Sequence, residues 1–216
     1  MKNLIKKEFT FTALPITYLF TAFSLMAFIP GYPILMGSFF VCMGIFYSFQ
    51  MAREGNDVVF SSLLPVKKQD IVKARYFFVF ILEMGFMLLS LIFVILRLTV
   101  LKDVKAYTEN PLMNANLAYL GYSLLVFAAF NGVFCLGFWK NAYKIGLPFL
   151  KFSVVTLIIV GIGETLHHFP NLKSLNYLSG DFTLQFFVLA TGIIIFTAVT
   201  YFSCKSSMKS FNALDL

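Results

Sequence analysis

The sequence predicts an all-α membrane protein with six transmembrane helices. It adds an N-terminal amphipathic surface helix, a short cytoplasmic helix between spans two and three, and both termini in the cytoplasm. Three observations carry this: an excess of apolar residues, their grouping into runs of bilayer length, and an uneven placement of lysine and arginine. Of 216 residues, 59% are hydrophobic and 12% charged, against about 45–50% and about 25% in soluble domains. Six runs approach the roughly 20 residues that a helix needs to cross a bilayer. They are 9–29, 32–52, 76–96, 117–139, 145–163 and 182–204. Lipid cannot satisfy backbone polar groups, so such runs must be helical; a β-barrel would show short alternating segments instead.

Orientation follows from the tendency of Lys and Arg to stay on the cytoplasmic side. With the N-terminus inside, twelve of the 17 basic residues fall in cytoplasmic segments, four fall outside and Lys151 lies within a span. The net charge of +7 is explained by an anionic inner leaflet and requires no nucleic-acid partner. The first apolar run is too long for a signal-peptide core and no small-residue cleavage pattern follows it, so it reads as a retained span. Cys42, Cys135 and Cys204 lie inside spans without a ligand spacing, which suggests neither disulfides nor a metal site. Without internal repeats or long linkers, residues 1–216 form one transmembrane domain.

At the start, "MKNLIKKEF" puts Met1, Leu4, Ile5 and Phe9 on one helical face and Lys2, Lys6 and Lys7 on the other. That pattern fits a helix lying along the membrane surface; a frayed basic leader is the alternative. Between spans two and three, Asn56 or Asp57 caps a helix through Leu64, and Pro65 stops it. The loop exposes Val58, Val59, Phe60, Leu63 and Leu64, an apolar patch that needs a cover. Glu54 and Asp57 disfavour anionic lipid as that cover, which points to a helix-in-groove contact with a soluble protein. Lys67, Lys68, Lys73 and Arg75 then form a basic ramp at the headgroup level where span three begins.

The run "SSLLPVKKQDIVKARYFF", residues 61–78, resembles the loop-to-third-span signature of bacterial type-2 ABC exporter permeases. The carriers of the resemblance are the Leu-Pro-Val step, the basic residues and the Ile-Val-x-x-Arg-Tyr start of the span. The basic N-terminal helix and the six-span topology fit the same family. The resemblance implies a subunit of the bacterial cell membrane that exports substrate by alternating access. ATP is hydrolysed by a separate cytoplasmic ABC ATPase into whose groove the helix at 56–64 docks. It further implies a second permease copy or paralogue as dimer partner, and a peptide cargo such as an antimicrobial peptide. This chain has no G-x-x-x-x-G-K-[ST] phosphate loop, so ATP and magnesium are expected on the ATPase and no cofactor on this chain. Larger relatives carry an outer domain after the fifth span, whereas only residues 164–181 stand there in this chain.

Residues with reactive side chains are few. Glu164 and His168 share a helical face, but His167 points away, and two ligands fall short of the three or four of a zinc site. Neither a catalytic triad pattern nor G-x-S-x-G occurs, so no catalytic residue is assigned. Glu83 lies about 12 Å along the helix from Arg75, and Lys151 lies about 10 Å from Lys144. Their matched depth leaves two readings open. They form an ion pair between spans three and five, or Lys151 snorkels to the headgroups while Glu83 is protonated or bonded to a neighbouring hydroxyl. Asn131 is an interhelical hydrogen-bonding candidate. The 28 phenylalanines line a path for an apolar cargo or fill helix contacts.

Two other functions compete. The substrate-binding subunit of a vitamin uptake system also has six spans, but its A-x-x-x-A docking pattern is absent from the first span. An intramembrane hydrolase would need a nucleophile or metal set that the sequence does not supply.

Overall fold

Apolar runs that must satisfy their own backbone fold here as helix, interrupted at a few prolines. The computed structural model describes residues 1–140 and 144–213, and every regular element among them is helical. Helix α1, Lys2–Lys7, continues into a π-helical turn, Glu8–Thr12. Ala13 and Leu14 are extended, and Pro15 opens α2, Pro15–Leu19, which tightens into a 3-10 helix, Phe20–Phe28. A proline disfavours helix at the residue before it, and the two halves of this segment meet at a 96° bend. The expected first span, 9–29, is therefore divided: Phe9 to Thr12 belong to the N-terminal helix and Pro15 to Phe28 to the bundle.

A turn at Pro30–Pro33, with Gly31 at φ +71°, delays α3 to Met36–Glu54. There follow α4, Asp57–Leu63; α5, Lys68–Thr99; and the short α6, Lys105–Thr108. Helix α7, Leu117–Ala129, passes through a π turn, Phe130–Cys135, into α8, Leu136–Lys140. Helix α9, Gly146–Leu166, a 3-10 segment, Pro170–Asn176, and α10, Thr183–Asn212, complete the chain. Among the described residues, four helices are long and apolar enough to cross a membrane: Lys68–Thr99, Leu117–Lys140, Gly146–Leu166 and Thr183–Asn212. The bent pair Lys2–Thr12 and Pro15–Phe28 makes a fifth if counted as one span. The expected second span falls short because the Pro33 turn removes its first residues and Arg53 and Glu54 occupy its last turn.

Phenylalanines bind α3, the π turn and α9 into a core. Phe46 stacks on Phe149 at 4.1 Å, Phe49 meets Phe134 edge-on at 5.1 Å, and Phe130 meets Phe152 at 5.1 Å. Helices α7 and α10 touch backbone to backbone, since a Cβ built on Gly192 would lie 2.6 Å from the Gly121 carbonyl oxygen. Small residues permit this approach between helices in apolar lipid, where no hydrophobic force drives them together.

Side-chain contacts identify the two ends of the bundle. Lys7, Asp57 and Arg75 meet at one end, where Trp139 and Phe211 also pack at 4.8 Å. The N-terminal helix, α4, the start of α5 and the last turns of α10 therefore share that end. At the other, Asn114 and Asn116 bond to Asn176 and the Leu175 carbonyl.

Candidate docking site and intramembrane polar cluster

Helix α4 is one short apolar helix held from behind by charge. Asn56 precedes it in the left-handed region at φ +49° without a side-chain cap bond; the side-chain cap expected of Asn56 or Asp57 is not made. Asp57 is used otherwise. Lys7 Nζ donates to both of its carboxylate oxygens at 2.8 Å and to Ser61 Oγ at 2.9 Å. Arg75 Nη2 donates to Asp57 Oδ2 at 3.1 Å, and Arg75 Nε lies 2.9 Å from Glu8 Oε2. Lys7 also approaches Glu8 at 3.2 Å, so two cations and two carboxylates join three elements. The Arg75 side chain is 2% exposed and that of Glu8 1%; the guanidinium also stands over the Phe49 ring.

This arrangement corrects two expectations. Arg75 does not hold α5 at the headgroups but is buried among Glu8, Asp57 and Phe49. Val58 is not part of the exposed patch, because it turns into the core. The rest of the patch is where the spacing placed it. Phe60 is 63% exposed and Leu63 79%, with Val59 and Leu64 beside them. Leu64 is extended before Pro65, which ends α4. Between α4 and the N-terminal helix lies a cavity of about 650 Å³, lined by Leu4, Phe11, Phe60 and Leu64 among others. Lys67 and Lys73 of the basic ramp are exposed, Lys73 lies 3.8 Å from Asp70, and Lys68 sits over the Phe211 ring.

The Glu83–Lys151 ion pair is not formed. Lys151 lies on the exposed face of α9, while Glu83 is fully buried and accepts from Asn131 Nδ2 at 3.2 and 3.0 Å. Matched depth fixed the height of the two residues but not the direction each faces around its helix. Asn131 Nδ2 also donates to Thr200 Oγ1 at 3.1 Å, so Asn131 bridges α5 and α10 from the π turn.

At the far end, Glu164 accepts from the Met113 backbone N–H at 2.8 Å and His167 bonds the Pro111 carbonyl at 3.1 Å. Gln185 donates to the carbonyls of Ser174 and Tyr177 and accepts from the Leu117 N–H. Residues 164–181 are thus stitched to the segment before α7. Arg97, which the sequence reading did not single out, donates to Asn114 at 2.7 Å and stacks on Tyr107.

A family model described as "ABC-2 family transporter protein" matches residues 3–212. No curated protein and no solved structure matches the chain.

Proposed function

The chain belongs to the ABC-2 family of transporter proteins, and from that premise we propose that it is an exporter permease coupled to its ATPase through α4. The family is a membrane transport component that works with an ABC ATPase, and the multi-pass helical chain accords with that role. The observation that carries the coupling assignment is the combination at α4. Phe60 and Leu63 stand in the open while Asp57, on the same short helix, is fastened to Lys7 and Arg75. A push on the apolar face therefore reaches the first turns of α5 and the N-terminal helix together. The family match lends no support to the vitamin-uptake alternative.

In this reading the end bearing both termini faces the cytoplasm of a bacterial cell, and the chain crosses the plasma membrane six times. The two short crossings are supported by reach. Helix α3 has 19 residues, about 28 Å at the α-helical rise. Pro15–Phe28 reaches about 25 Å, because its 3-10 portion rises about 2.0 Å per residue. Both approach the roughly 30 Å hydrocarbon layer. The transporter pairs this chain with a second permease, identical or paralogous, and with ATPases that hold ATP and magnesium. Its cargo is an amphipathic or hydrophobic molecule, a peptide by resemblance to the small permeases of the family, moved by alternating access.

The test is a Phe60→Asp, Leu63→Asp double variant. Each side chain contributes about 1.5–3 kcal/mol when fully covered by a partner. The variant inserts and folds as the parent does, yet loses both the co-purifying ATPase and ATP-dependent transport. Retention of a bound, coupled ATPase refutes the assignment of α4.

A further inference from the structure

Glu83 is the most enclosed acid of the bundle interior and the docking site makes no use of it. None of its side chain reaches the surface. Among the described residues it enters no ion pair, and its one side-chain donor is the Asn131 amide. The titratable groups around it are the buried thiols of Cys42 on α3 and Cys135 on the π turn, while α10 contributes the neutral Thr200. The one Asn131 amide replaces only part of the hydration that a carboxylate loses, and no cation there supplies the opposite charge it requires. A carboxylic acid meets neither difficulty.

A polar track leads from this acid to the end that carries the termini. The Asn131 carbonyl accepts from the Ser203 hydroxyl. Ser203 shares a hydrogen bond with the Tyr76 hydroxyl at 2.8 Å, and Tyr76 shares another with Ser207 at 2.9 Å. Tyr76 follows Arg75 directly on α5, so the outer part of the track lies at the same level of the bundle as the ionic network behind α4. Asn131 itself sits in the π turn Phe130–Cys135, a wide turn of the kind that recurs at functional sites.

We propose that Glu83 is an intramembrane proton-binding site, filled and emptied from the end that carries the termini. There the hydroxyls of Ser207, Tyr76 and Ser203 lead as far as the Asn131 carbonyl, and water carries the proton over the last step to the carboxylate. Binding takes one proton from water, converts the carboxylate to the acid, and removes the charge that opposes closure of α5 and α10 around it. Release needs an arrangement in which water or a cation reaches the carboxylate. A cycle that alternates between such arrangements depends on pH. That last step rests on the permease reading, whereas the site itself does not.

Infrared spectroscopy of the full chain in lipid nanodiscs tests the site without any ATPase. The protonated acid gives a carboxylic C=O band that is lost in Glu83→Gln and shifts when D2O replaces water. Tyr76→Phe slows that shift. Should Glu83→Gln fail to fold, Glu83→Asp keeps the acid and moves the band, which makes the assignment. Absence of a Glu83 band, or a band that never shifts in D2O, overturns the proposal. In the complex with the ATPase, Glu83→Gln loses a dependence of ATP turnover on pH of up to about tenfold per unit, the limit for one proton. An unchanged pH profile overturns the role in the cycle. Failure of any ATPase to associate counts against the permease reading and leaves the infrared result standing.

Discussion

Replacing Arg75 by Leu removes one cation from the four-membered network and leaves Glu8 enclosed with its charge. Both side chains are almost fully covered, at 2% and 1% exposure, and Arg75 Nε stands 2.9 Å from the Glu8 carboxylate. Removing one partner of a buried pair costs about 3–5 kcal/mol because the other charge remains desolvated. At about 1.4 kcal/mol per decade, the folded-to-unfolded ratio falls roughly 100- to 4000-fold. Lys7 approaches Glu8 at 3.2 Å and tempers the loss, so the lower half of the range is expected. The double variant Glu8→Leu, Arg75→Leu keeps the Lys7–Asp57 pair at 2.8 Å and removes the stranded charge. It should recover to within about 1 kcal/mol of the parent, as apolar replacements of buried pairs often do. The chain has one tryptophan, and Trp139 packs against Phe138 and Phe211 at the same end of the bundle. Its fluorescence during denaturant unfolding in detergent reads both values. A loss below about 1 kcal/mol in Arg75→Leu, or a double variant that sums the two single losses, refutes the picture of a coupled buried network.

Two further outcomes are expected. In a background lacking the native thiols, a membrane-impermeant reagent added outside labels Lys105→Cys and spares Lys67→Cys, both positions being exposed in the structure; the reverse pattern inverts the topology. Gly192→Ala places a methyl 2.6 Å from the Gly121 carbonyl oxygen and destabilises the α7–α10 crossing by about 1–3 kcal/mol, measured by the same unfolding curve, with an effect near zero refuting the backbone contact.

The helical class and the α4 patch were legible because both rest on local pattern. Apolar runs of bilayer length announce helices, and Val59, Phe60 and Leu63 before Pro65 announce a short exposed one. What the sequence hid depends on residues distant in the chain. Arg75 resembles any membrane-flanking cation until Glu8 folds against it; the one available signal was an acid placed beside the lysines of an otherwise basic N-terminal helix. Glu83 and Lys151 share a depth, yet Glu83 faces Asn131 across the bundle and Lys151 faces out. Hydropathy averaged across Pro15 joined two segments that a 96° bend separates. In that case a single residue's backbone preference outweighed the composition of the run around it.

The same bend decides what the segment after it leans on. Beyond the bend lies Pro15–Phe28, five α-helical residues and nine of 3-10. That is short of the roughly 20 residues that a straight α-helix needs to cross a bilayer. On its own the element is a poor membrane anchor. With the Pro30–Pro33 turn and α3 behind it, however, it forms a hairpin whose two arms pack through Phe23 and Phe40 at 4.8 Å. Thr17 also donates to the Gly44 carbonyl across the same hairpin. The two arms thus hold each other, each covering apolar surface that the other would leave bare.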